Sequence, residues 1–159
     1  MNKAFTLIEI LVVILIIGIL ASLAFVAFKA TRGKARDTKR IAELSQIGKF
    51  FTTTCYTPEA GAGNYDLTDI IAEVKTKHDY AAKALPVQLR DPAGTAESSL
   101  YFYSVNQTGD KCALYANLEL SQYKTELLIT EPTPGGGTGI WQAPSTGWNG
   151  SPFYYQISN

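Results

Sequence analysis

A run of apolar residues near the N-terminus limits what this chain can fold into more than any other feature. Residues 5–28, FTLIEILVVILIIGILASLAFVAF, contain one charged residue, Glu9. Leu, Ile, Val and Phe fall on every face of a helix drawn through them, so no polar stripe is left to meet water. These 24 residues would extend roughly 36 Å as a helix, against about 30 Å for a hydrocarbon core. Met1, Asn2, Lys3 and Ala4 precede the run. A segment apolar all round has to be covered by lipid or by protein. The 131 residues that follow it are enough for one globular domain with its own core.

The single charge is informative. A carboxylate placed within lipid costs on the order of 3 kcal/mol, so such groups usually have a partner. Glu9 falls in the first turn of the expected helix, where the positive end of the helix dipole favours it. Two readings follow. Glu9 is a glutamate at headgroup level, or it pairs with an amino terminus created by cleavage between Ala4 and Phe5.

The order Lys3-Ala4-Phe5-Thr6-Leu7-Ile8-Glu9, followed by Ile10-Leu11-Val12-Val13-Ile14, resembles the class III leader and N-terminal helix of type IV pilins and type II secretion pseudopilins. The resemblance implies that a prepilin peptidase cuts after Ala4 and methylates Phe5. It implies that Glu9 neutralises the new terminus of a neighbouring subunit, and that Gly18 lets the helix loosen during assembly. Two departures stand out. Ala4 occupies a position usually held by Gly, and Val26 stands where many type IVa pilins have Pro.

The fold implied is α+β, a type IV pilin fold. Its long N-terminal helix, transmembrane in its first half, packs on an antiparallel β-sheet head. The function implied is a structural subunit, not an enzyme, of a type IV pilus or pilus-like filament. The alternatives are a pseudopilin of a type II secretion system and a minor pilin acting in adhesion or DNA uptake. The expected partners are further copies of the chain, the peptidase and assembly machinery, and the inner membrane before assembly. The expected location is the bacterial cytoplasmic membrane, as a single-pass protein, and then the extracellular pilus. By family pattern a Pro-Asp-Pro-Trp-Gly-like segment precedes a Tyr-x-Tyr strand. Asp91-Pro92-Ala93-Gly94 before Tyr101-Phe102-Tyr103 is similar but lacks the Trp.

Lys29, Arg32, Lys34, Arg36, Lys39 and Arg40 all follow the apolar run. Taken alone, the positive-inside rule places the N-terminus outside. The resemblance implies the reverse, and we adopt it. Formal net charge is +0, which offers no electrostatic case for a nucleic-acid partner, and no specific nucleic-acid site is evident. Cys55 and Cys112 would be oxidised in an exported head. The single histidine, His78, and the absence of a Cys-x-x-Cys pair argue against zinc. Asp110, Glu119, Glu126 and Glu131 are too scattered for a calcium loop. No metal, cofactor or catalytic residue is expected.

The order of elements is read from periodicity. Residues 1–4 form the leader, 5–28 the membrane or filament-core half of one helix, and 29–55 its amphipathic half. Ile41, Leu44, Gly48, Phe51 and Cys55 make a seam at spacings of 3 and 4, widened by Ile47, with Arg36, Asp37, Lys39, Arg40 and Glu43 mostly off it. One continuous helix of about 50 residues, roughly 75 Å, is expected, ended by Thr52-Thr53-Thr54 and Pro58.

Residues 56–130 form the head. A loop over 57–64 leads to a short helix over 66–77, whose apolar face is Leu67, Ile70, Ile71 and Val74, with Asn64 or Asp66 as cap. Residues 80–85 have no assignment. Strands are expected over 100–105 and 111–120, joined by a hairpin loop over 106–110. The second strand alternates as if half-buried, with Cys112, Leu114, Ala116, Leu118 and Leu120 inward. That face and the helix seam both direct a cysteine to the core. Residues 125–130 read as a third strand or a continuation of the second. Residues 131–159 comprise a linker flexible by composition and an aromatic end. There 153–157 could return as a strand covering an edge, with the aromatics capping the sheet or facing a partner.

Overall fold

No proline interrupts residues 5–51, and the long-helix expectation holds. In the computed structural model, residues 7–78, 84–86, 89–93 and 100–159 are described, the side chains of 23–27, 29 and 30 excepted. A single helix, α1 (Leu7–Phe51), runs 45 residues, or about 68 Å at 1.5 Å per residue. It ends where three threonines begin. The hydroxyl of Thr52 donates to Gly48 O at 2.8 Å and that of Thr53 to Lys49 O at 3.0 Å. Such local bonds compete with further helix.

The head is a five-stranded antiparallel sheet with one short helix. Its elements are β1 (Gly63–Asp66), α2 (Leu67–Lys77), β2 (Tyr101–Val105), β3 (Cys112–Asn117), β4 (Gly139–Gln142) and β5 (Phe153–Ser158). The strand order is β1-β2-β3-β5-β4, every pair antiparallel. The second half of α1 lies across β3 and β5, and α2 against β1 and β2. Between them sits the core: Leu44, Ile47 and Phe51 from α1, Leu67, Ile70, Ile71 and Val74 from α2, and Tyr101, Tyr103, Leu114 and Ala116 from the sheet. Gly48 allows the close approach of helix and sheet, since a Cβ there would stand 2.7 Å from Ile157 Cδ1. The N-cap of α2 is Asp66, whose carboxylate accepts from Thr68 N at 2.8 Å.

Several expectations change. Asn64, read as loop, lies in β1 and pairs with Ser104. β1 is short and has no alternation to reveal it. β3 is buried at every position rather than half-buried, because aromatic side chains cover the face that looked polar. Residues 153–157 do return as a strand, β5, which covers the edge of β3. β5 lies between β3 and β4, which leaves β4 at the edge. Residues 125–130 form no strand, although Glu126 N and Leu127 N both donate to Ile140 O. The segment that reads as a linker is tied down. Gln156, fully buried, accepts from Thr133 N at 2.9 Å and donates to Thr133 O and Gly137 O. Composition registered its glycines but not the buried amide that holds them. Most of residues 80–85, and Gly94 of the Asp-Pro turn, lie outside the described residues.

Candidate functional site

Among the described residues, nothing packs over the apolar side chains of α1 from Leu7 to Leu20. From Leu7 to Leu20, every Leu, Ile and Val is between 48% and 83% exposed. Near 25 cal/mol per Å2 of apolar surface, leaving so much in water is strongly unfavourable, so this surface is shaped for a partner or a lipid phase. Among the described residues no helix is long and apolar enough to cross a membrane. Glu9 sits in the first turn described, exposed on this rod. Gly18 is exposed too, and a Cβ added there would meet nothing within 4 Å. The glycine is not required by packing within the chain. Ala4 and Phe5 lie outside the described residues.

The other half of α1 carries the feature that sequence reasoning missed. Asp37 and Arg40, placed mostly off the seam by their charge, are both 0% exposed. They belong to the seam: stepping back from Leu44 by 4, 3 and 4 reaches Arg40, Asp37 and Gly33, all buried. The signal was in the spacing, and residue type overrode it.

Arg40 donates from Nε and Nη2 to the two oxygens of Asp91, each at 2.6 Å, a bidentate pair. Its Nη1 lies 2.6 Å from Asp37 Oδ1 and 2.8 Å from Glu119 Oε1. Arg36 Nε adds a bond to Glu119 at 2.6 Å. Asp37 also accepts from Glu119 N at 2.8 Å, Leu120 N at 3.1 Å and the Tyr123 hydroxyl at 3.0 Å. Asp91 accepts from Ala93 N at 2.8 Å, closing the Asp-Pro turn.

One guanidinium thus gathers α1, the Asp-Pro turn and the end of β3 into one joint. Burial of Arg40 opposes its charge, but the hydrogen bonds it donates to Asp91 and Glu119 outweigh that and raise its pKa. The Arg36 guanidinium holds the Glu119 carboxyl below the usual carboxylate range. Burial pushes the Tyr123 hydroxyl up, beside Asp37. Such a cluster is arranged for rigidity. Each of its acids accepts hydrogen bonds from more than one donor.

Cys55 and Cys112 are joined by a disulfide, Cα atoms 5.7 Å apart, linking the end of α1 to β3 across 57 residues of chain. Closing a loop of that length stabilises by about 4 kcal/mol in the chain-entropy account. The neighbouring Tyr103 hydroxyl donates to Tyr56 O at 2.7 Å and accepts from Tyr56 N at 2.9 Å. The sequence-predicted residues therefore fall in two places: Glu9 and Gly18 on the bare rod, the cysteines at the head. His78 is exposed at the end of α2, edge-on to the Tyr56 ring at 6.4 Å.

Comparison with known proteins bears on the rod. Residues 1–25 match the family model for the prokaryotic N-terminal methylation motif. No curated protein and no solved structure matches the chain significantly. The match covers Ala4, Phe5, Glu9 and Gly18 and stops before the head. The chain carries the prokaryotic N-terminal methylation motif on a long helix packed against an antiparallel sheet, and in both respects it is consistent with the type IV pilin and pseudopilin family.

Proposed function

We propose that the protein is a structural subunit of a type IV pilus or pilus-like filament. In this reading residues 5–28 hold the chain in the cytoplasmic membrane until a prepilin peptidase removes residues 1–4 and methylates Phe5. The subunit then leaves the membrane, and its apolar rod packs against the rods of other copies. Glu9 pairs with the methylated terminus of a neighbour. Two opposite charges in a low-dielectric bundle attract strongly, whereas one alone is severely penalised. The pair therefore selects one axial register.

The observation that carries the proposal is the rod itself. It is a helix bearing the methylation motif, apolar on every described face and bare to solvent from Leu7 to Leu20. The joint at Arg40 and the disulfide support it from the other side. Both fix the head to the same helix, so force applied through the rod reaches the sheet. The alternative of a pseudopilin in a secretion piston uses the same rod and the same processing. The missing Trp after Asp91-Pro92 counts against it.

Glu9→Ala tests the proposal. The variant is expected to be processed and to accumulate in the membrane fraction at wild-type level. Its recovery in sheared surface filaments should fall at least about tenfold, as expected when a buried ion pair loses one member. Wild-type filament yield from Glu9→Ala would count against the proposal.

A further inference from the structure

Residues 135–159 contain no Asp, Glu, Lys, Arg or His. This uncharged segment supplies most of an aromatic layer on the sheet face opposite α1. Tyr115 stacks on Phe102 with ring centroids 5.4 Å apart, and Trp141 stacks on Tyr154 at 4.7 Å. Trp148, from the β4–β5 loop, lies over both pairs, 5.2 Å from Phe102 and 5.9 Å from Tyr154. Trp141 and Tyr115 are buried, whereas Trp148 remains 40% exposed. The Trp141 indole N–H is buried with no hydrogen-bond partner among the described residues. A buried donor left unmet calls for an explanation beyond packing.

The loop that presents Trp148 is built rather than loose. Asn117, fully buried, accepts from Asn149 N at 2.8 Å and donates to Ser151 O and Phe153 O, each at 2.9 Å. Asn149 Nδ2 donates back to Asn117 O at 2.9 Å. At Gly147 any Cβ would collide with the Asn117 side chain and the Tyr154 hydroxyl. An exposed indole held on a pinned loop loses little conformational freedom on binding, which is what a recognition residue needs.

We propose that Trp148, with the half-buried rims of Phe102 and Tyr154, is a binding platform for a neutral glycan. The apolar C–H face of a pyranose stacks on the indole, and the neighbouring amides and hydroxyls meet its hydroxyl groups. The lack of charge decides the class. A phosphate-bearing ligand such as nucleic acid needs basic side chains, and residues 135–159 offer none. Position argues for an external partner over a second copy. If the rod lies at a filament axis, as the proposed function has it, the face opposite α1 is the outermost surface.

The test uses full-length protein in detergent, wild type and Trp148→Ala, on an array of neutral, sialylated and sulfated oligosaccharides, with a single-stranded oligothymidylate in solution. The expected result is retention of neutral glycans, weakened about tenfold or more in Trp148→Ala, as for truncation of an aromatic anchor. Trp148→Phe should keep part of the affinity. Circular dichroism should show both variants folded, and the oligothymidylate should not bind. Failure to retain any neutral glycan overturns the proposal, as does binding unchanged in Trp148→Ala or a preference for the oligothymidylate or charged glycans. Filament yield is read separately. Its loss in Trp148→Ala would make the platform a subunit contact and overturn the glycan site. Its loss in Glu9→Ala bears on the filament reading alone.

Discussion

The two halves of α1 invert the usual rule of burial. In the first, every Leu, Ile and Val from Leu7 to Leu20 stands exposed; in the second, Asp37 and Arg40 are sealed from water. Backbone and geometry are the same in both, so the difference lies in what each half has been given to touch. The second half has the sheet, with Glu119 and Asp91 placed to satisfy a guanidinium. From Leu7 to Leu20 the apolar side chains of the first half have no comparable cover among the described residues. Burial is thus a property of the partner as much as of the residue. A bare apolar rod calls for a partner or a lipid phase, just as a buried arginine calls for the carboxylates that meet it.

The largest effect is expected from breaking the finished half. Arg40→Ala leaves Asp37 and Asp91 buried without their cation, and loss of one member of a buried pair costs about 3–5 kcal/mol. Urea unfolding of the full chain in detergent, followed by fluorescence of Trp141 and Trp148 in the head, should show the midpoint fall accordingly. The methylation motif should still be processed, since it matches residues 1–25 of the sequence and the joint begins at Arg36. An unchanged midpoint would mean that the charges are not sealed.

A smaller effect comes from comparing glycines in the two halves. Gly48→Ala drives a Cβ to within 2.7 Å of Ile157 Cδ1 and 2.8 Å of its Cγ2. Overpacking of about 1–3 kcal/mol competes with a gain in helix propensity of about 1 kcal/mol, so a net loss is expected in the same unfolding assay. Gly18→Ala meets nothing and should leave the head's midpoint unchanged.

The smallest effect is that of pH on the joint. Because Arg36 depresses the Glu119 carboxyl, its contribution is fully present above the usual glutamate value of about 4.3. It fades as pH falls below that value and through the depressed one. Stability should be flat in this respect between about pH 5 and 8. Glu119→Gln should be less stable than wild type at neutral pH and lose less on acidification. Parallel acid limbs for the two proteins would contradict the assignment.

The legible parts of the molecule are those where one physical signal acts alone. The rod shows itself by hydropathy. α2 is marked by Leu67, Ile70, Ile71 and Val74, and by Asp66 as its cap. β2 and β3 appear by propensity and alternation. The Arg40 joint was hidden because charge and periodicity pointed in opposite directions at residues 37 and 40, and periodicity prevailed. Asp91 and Glu119, 51 and 83 residues from the arginines they meet, could not be assigned as partners from spacing along the chain. β4 and the placement of β5 were hidden for a related reason. Residues 131–139, with glycines at 135, 136, 137 and 139, read as slack, whereas a distant buried glutamine holds them. The second face of β3 looked polar until the tail aromatics were laid over it.

Intact-mass and N-terminal peptide spectrometry of the protein from its native cells tests the central claim most directly. The account predicts a chain that begins at Phe5, methylated on its amino group, and two hydrogens lighter than the reduced form because Cys55 and Cys112 are joined. A mature protein that still begins at Met1, or that begins at Phe5 unmodified, would contradict it.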